Sequence, residues 1–165
     1  MNPIDIFFRA KANKTSKWVY GHYLYKPNDQ CISPGNEAHY ILQYHFLDWD
    51  LHEFIQTEVD PTTVDQFIGF VDNYKTAIYV NDIVEFTFGS GHIERYLIWH
   101  HKEMNALTAV SLDADTHYNG QDYYNLDKFT YEDFCLLMAD PWGHISSIKV
   151  IGNLHDNPAL INLEG

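Results

Sequence analysis

The sequence predicts a mainly β domain, a barrel or sandwich, with one short helical insertion over residues 131–139. Three observations carry this. Many short runs of β-branched and aromatic residues are separated by Gly, Pro, Asn and Asp signals. Aromatic residues make up 16% of the chain, and flat rings pack well on a pleated surface. A helical period stands out at one place, where Phe134, Leu137 and Met138 fall at i, i+3 and i+4.

Phe7-Phe8-Arg9-Ala10 reads as a short strand and Lys11 to Ser16 as a polar turn. Lys17 to Tyr25 is a strong strand, with Trp18, Tyr20, His22 and Leu24 on one face and Val19, Gly21, Tyr23 and Tyr25 on the other. Bulk on both faces predicts neighbours on both sides, and Gly21 marks a bulge or a close backbone approach. Pro27 to Asn36 holds breakers. His39 to Phe46 is extended, Asp48 to Glu53 reads as a connection, and Phe54-Ile55-Gln56 as a short strand. Asp60-Pro61-Thr62-Thr63 is a turn or one helical turn, since the donor that proline lacks would be unpaired there anyway. Val64, Gln66, Ile68 and Phe70 then alternate along the next strand, and Val71 to Thr76 connects it to extended pieces at Ala77–Val80 and Asp82–Phe88. Ser90-Gly91 turns the chain into His92–His100. Thr130 is the N-cap of the helix, Asp133 completes an approximate capping box, and Asp140-Pro141 ends it. Ile148 to Leu154 is the last strand and runs into a polar turn ending at Pro158.

A chain of 165 residues supports one well-buried core, so residues 1–165 are expected to form a single domain. Hydrophobic residues at 45% and charged residues at 20% exclude global disorder. The net charge of −13 disfavours nonspecific nucleic-acid binding over the whole surface. The charge is uneven: residues 1–26 hold five bases and one acid, formally +4, whereas residues 27–74 hold nine acids and no Lys or Arg. Arg9, Lys11, Lys14 and Lys17 form the basic hairpin of that segment. It reads either as a solvated tip or as a polar surface that steers a partner or another subunit. Cys31 and Cys135 are isolated thiols without the spacing or density of a disulfide framework, which fits a cytoplasmic location. No basic n-region with an apolar h-region, and no run of 18 apolar residues, points to secretion or membrane insertion.

Chemical motifs are sparse. Ten histidines invite a metal, yet none are paired as His-x-His or His-x₃-His, and there is no CxxC. His100 and His101 are adjacent, so in a strand they point to opposite faces. Asp115 to Leu126 resembles a calcium loop only weakly, because His117 and Leu126 replace oxygen ligands; Asn119-Gly120 reads instead as a hairpin turn. There is no Gly-x-Ser-x-Gly elbow. Gly89-Ser90-Gly91-His92 lacks a phosphate-binding lysine, and Cys135 reads as a small hydrophobe. Trp18, Tyr20, Tyr23 and Tyr25 interleave with bases and read as core packing or as a stacking platform for single-stranded nucleic acid.

Three blocks together resemble the YopX family of phage and prophage proteins. Phe8-Arg9-Ala10 followed by Lys17-Trp18-Val19-Tyr20-Gly21 is similar to the family's opening strands and lysine-rich turn. Gln66-Phe67-Ile68-Gly69 and Ile78-Tyr79-Val80-Asn81-Asp82-Ile83-Val84 resemble its central pattern, and Val150-Ile151-Gly152-Asn153-Leu154 with Asn157-Pro158 its closing one. The blocks follow the family order and cover roughly 50 residues. The chain departs from the family at Asn73-Tyr74, where Asn-Gly is usual, and at Asn81, where Gly is usual. Tyr74 adopts positive φ less cheaply than glycine. The stretches 27–60 and 92–147 match nothing distinctive.

The resemblance implies an SH3-like β-barrel without catalytic residues, cofactor or metal. Trp18, Ile78, Ile83, Val84 and Ile151 are then expected in the core, Gly69 and Gly152 as backbone necessities, and Asp82 and Asn153 as acceptors for backbone donors. The function expected is that of a non-enzymatic phage or prophage protein in the bacterial cytoplasm. It would act through protein contacts or homo-oligomerisation, with no membrane partner. The alternative is a nucleic-acid-associated accessory protein or a DNA mimic.

Overall fold

The computed structural model describes residues 7–27, 37–48, 51–101, 106–112, 138 and 143–161. The described chain is mainly β, as expected. It divides into two compact units, Met1–Phe67 and Ile68–Gly165.

The first unit is built from β1 (Phe8–Lys11), β2 (Trp18–Lys26), β3 (Ala38–Asp48), β4 (Leu51–Glu58) and the start of β5 (Asp65–Val71), in the order β4-β3-β2-β1-β5. All pairings are antiparallel. Val19 and Tyr23 pack with Phe8 and Val64 against the buried Ala10, Ile41 and Val59, so the odd-numbered face of β2 is the core face. Its even-numbered face exposes Tyr20, His22 and Leu24. Trp18 on that face is half-buried, a correction to its expected place in the core. Gly21 is a close-approach residue: a Cβ there would stand 2.1 Å from the Leu42 carbonyl oxygen. A single bridge, Ala12–Val59, with bonds from the Asn13 N–H to Glu58 O and from the Asp60 N–H to Lys11 O, returns the end of β4 to β1. Beyond that bridge the ladders leave the sheet open, and the closed barrel implied by the resemblance is not reproduced.

The stretch expected to be a connection, Asp48 to Glu53, is largely strand. β3 and β4 pair from Tyr40–Glu58 out to Asp48–Leu51, whereas the β2–β3 ladder stops at His22–Leu42. Gln43–Asp48 and Leu51–Ile55 thus run past the end of the β2–β3 ladder and pair with each other as a two-stranded ribbon. Asp60 caps a 3₁₀ turn over Pro61–Thr63 by accepting from the Thr62 N–H at 2.9 Å.

In the second unit, β5 ends and β6 (Ala77–Tyr79) follows. Then β7 (Asp82–Phe88), β8 (Ile93–His101), β9 (Ala106–Ser111) and β10 (Ile145–Asn153) form an open antiparallel sheet ordered β10-β7-β8-β9. The registers set Val84 opposite Tyr96 and Val150, and Phe86 opposite Ile148. These side chains share one face and pack with Ile68, Ile78, Val80, Ile98 and Ala109. Burying each large apolar side chain contributes about 1.5–3 kcal/mol. Ile151 is only half-buried, a further correction, while Ile78, Ile83 and Val84 are buried as expected. Register shifts at Ile145/Ser147 and Val150/Gly152 bend β10.

Two turns share one geometry. Phe88 and His92 close the Ser90-Gly91 turn, with Gly91 at φ 83°. Asp72 and Thr76 close the other, with the positive φ of 68° on Lys75 rather than on Tyr74. Each is a β-turn followed by one left-handed residue. Tyr74, at the departure from Asn-Gly, thus does not carry the positive φ itself. Asn81 takes φ 67° where glycine is usual, a conformation asparagine tolerates better than most residues. The helix expected over 131–139 lies outside the described residues except for Met138, which is helical and packs against the second core. The calcium-like segment, Asn119-Gly120, Cys31 and Cys135 also lie outside them.

Candidate functional site

The basic hairpin does not present its four cations as one surface. Arg9 is buried, with 7% of its surface exposed. Its Nε and Nη2 donate to Asp65 Oδ2 at 3.1 and 2.9 Å, and Asp65 is fully buried. The Arg9 guanidinium lies 4.6 Å from the centroid of the Trp18 ring, and Lys11 Nζ lies 5.4 Å from it. Both are within cation–π range. Lys11 is half-buried, and its N–H donates to Thr63 Oγ1 at 2.8 Å. Lys14 and Lys17 are exposed in the β1–β2 turn. Arg9 is therefore a frame residue, a correction to its place among surface cations, and Lys14 and Lys17 remain as the exposed pair.

Asp65 is the residue sequence reading missed. Its neighbour Gln66, expected to share a face with Val64, Ile68 and Phe70, is exposed, whereas Ile68 is buried. The only sequence signal is that Arg9 and Asp65 occupy two of the family-like blocks or their border, 56 positions apart.

The polar residues of the central and closing blocks serve the backbone. Asp82 Oδ2 accepts from the Tyr79 N–H at 2.8 Å, and Asn153 Oδ1 accepts from the N–H groups of His155 and Asp156 at 3.0 and 2.9 Å, as expected for both. Asp72 Oδ1 accepts from the Tyr74 and Thr76 N–H groups, and Oδ2 from that of Val150. Burial pushes the Asp72 carboxyl up, but the donors on Val150, Thr76 and Tyr74 outweigh it and hold the group below the usual carboxylate range. Gly152 is needed for space, since a Cβ there would stand 2.6 Å from Asn157 Oδ1, while Gly69 is needed for its φ of 89°.

The first unit leaves several aromatic side chains at its surface. In the first unit the period of two sets Arg9 and Tyr20, His22, Leu42 and Gln56, and Tyr44 and Phe54 on one face. On it Tyr20 is 49% exposed, Tyr44 51% and Phe54 71%. Tyr44 and Phe54 sit edge to face across the ribbon, with ring centroids 5.3 Å apart.

Among the described residues, no group of three His, Cys, Asp or Glu side chains is placed to hold a metal ion. No helix there is long and apolar enough to cross a membrane. Comparison with curated proteins finds no match. The family model described as YopX protein matches residues 7–162, nearly the whole length, and the chain belongs to that family.

Proposed function

We propose that this YopX-family protein is phage- or prophage-derived and works without catalysis, through protein–protein contacts that include self-association, in the cytoplasm of a bacterial host. The observation that carries this reading is the exposed aromatic face of the first unit, with Phe54 at 71% and Tyr44 at 51%. Exposed apolar patches rimmed by polar groups mark interaction surfaces. The polar residues of the family-like blocks support it from the other side, since Arg9, Asp65, Asp72, Asp82 and Asn153 are all bonded into the frame. The SH3-like character of the family is part of this proposal. The return of β4 to β1 at Ala12–Val59 and the bends in β10 support it, because small barrels need closure and bent strands.

Tyr20, Trp18 and the exposed Lys14 and Lys17 favour a second reading, a stacking surface for single-stranded nucleic acid. It is the weaker one, because Arg9 is spent on Asp65 and the net charge is −13. Light scattering at low and high salt tests the first reading. A multimer whose mass falls with salt is expected; a monomer at both salts contradicts self-association.

A further inference from the structure

We propose that the β3–β4 ribbon docks on the β1–β2 turn of a second copy of this chain, and that the contact is reciprocal about a two-fold axis. This rests on the self-association reading above and names its surfaces. An isolated two-stranded ribbon is marginally stable in water. Here Gln43–Asp48 and Leu51–Ile55 pair only with each other among the described ladders, and β4 is the edge of its sheet. The ribbon nonetheless carries the most exposed aromatic side chain of the described residues, Phe54, against Tyr44. A partner that covers this pair removes apolar area from water and adds contacts at the sheet edge.

Charge selects the occupant. Residues 43–54 hold three acids, among them the exposed Glu53, and no Lys or Arg. Residues 6–26 hold five bases and no acid, and Lys14 and Lys17 of the turn are exposed beside the strand that displays Tyr20. Both features belong to the first unit: β4 runs on from the ribbon to Val59, whose bridge to Ala12 sets the turn beside that end of β4. β3 leaves its last β2 pair, His22–Leu42, running in the direction of Trp18 and the turn. The first unit thus carries an aromatic element with the exposed acid Glu53 and a basic element with the exposed Lys14 and Lys17, and a two-fold interface can pair each with the other. Phe54 and Tyr44 supply the apolar anchor, and the charges set the register.

Sedimentation velocity over a concentration series tests this. Phe54→Asp should raise the dimer dissociation constant about tenfold or more. Lys14→Glu/Lys17→Glu and Glu53→Lys should each weaken self-association, because each homodimer then faces like charges at both junctions. Mixing those two variants should restore it, since both junctions of the mixed dimer are complementary. Far-UV circular dichroism checks that each variant is folded, and the mixing arm stands even if Phe54→Asp is not. A dimeric wild type with undiminished Phe54→Asp affinity, or a mixture no tighter than its components, overturns the ribbon contact and leaves self-association intact. A monomeric wild type overturns both.

Discussion

Arg9 and Asp65 form a buried ion pair in which Nε and Nη2 converge on the single carboxylate oxygen Oδ2, at 3.1 and 2.9 Å. The pair ties β1 to the start of β5, where Arg9 faces Asp65 in the ladder. Desolvating two charges offsets much of their attraction, so the pair is a poor source of net stability. Breaking it is another matter. Asp65→Ala leaves the Arg9 cation buried and should cost about 3–5 kcal/mol, read by urea unfolding. Arg9→Met/Asp65→Leu should be milder than either single change. The exposed pair Arg95–Glu85, at 3.1 Å, is the control, where Arg95→Ala should cost about 1 kcal/mol or less. A double variant as damaged as Asp65→Ala would contradict this account.

Asp72 predicts a pH dependence. Its folded pKa lies below the ordinary aspartate value, so its stabilisation is fully present above that value, about 3.9, and is lost as pH falls through the folded pKa. Asp72→Asn removes the charged acceptor for three backbone donors and should cost about 1–3 kcal/mol at neutral pH. The variant does not titrate there, so its deficit against wild type should shrink in acid. Urea midpoints at neutral pH and below pH about 4 measure it. A deficit that does not change with pH would contradict the role given to the charge.

Two glycines separate space from backbone conformation. Gly21→Ala drives a Cβ to 2.1 Å from the Leu42 carbonyl and should cost about 3 kcal/mol or more, because a backbone atom must move. Gly69→Ala meets open space but a φ of 89°, and should cost about 1–2 kcal/mol. Thermal unfolding ranks the two, and the reverse order would contradict the close β2–β3 approach.

Much of the fold was legible because its signals are local. The period of two along β2, the breakers before β3, the Ser90-Gly91 turn, and the acceptor roles of Asp82 and Asn153 all rest on neighbours within a few residues. Asp65 was not legible, since one acid among 23 acquires its burial only when Arg9 arrives from 56 positions away. Trp18 is expected in the core from the resemblance, yet it is half-buried, with the Arg9 cation 4.6 Å from its ring centroid. The ribbon was obscured because Asp48 to Glu53 carries charges typical of a loop, and a ribbon outside the core accepts those charges as readily.

The central claim is that the ribbon is covered in the assembled protein. Hydrogen exchange of the amides in Gln43–Asp48 and Leu51–Thr57, followed as protein concentration rises, tests it most directly. The account predicts that these amides slow with concentration while those around Ile83, Val84 and Phe86 of the second core do not change. Exchange of the ribbon that is independent of concentration would contradict it.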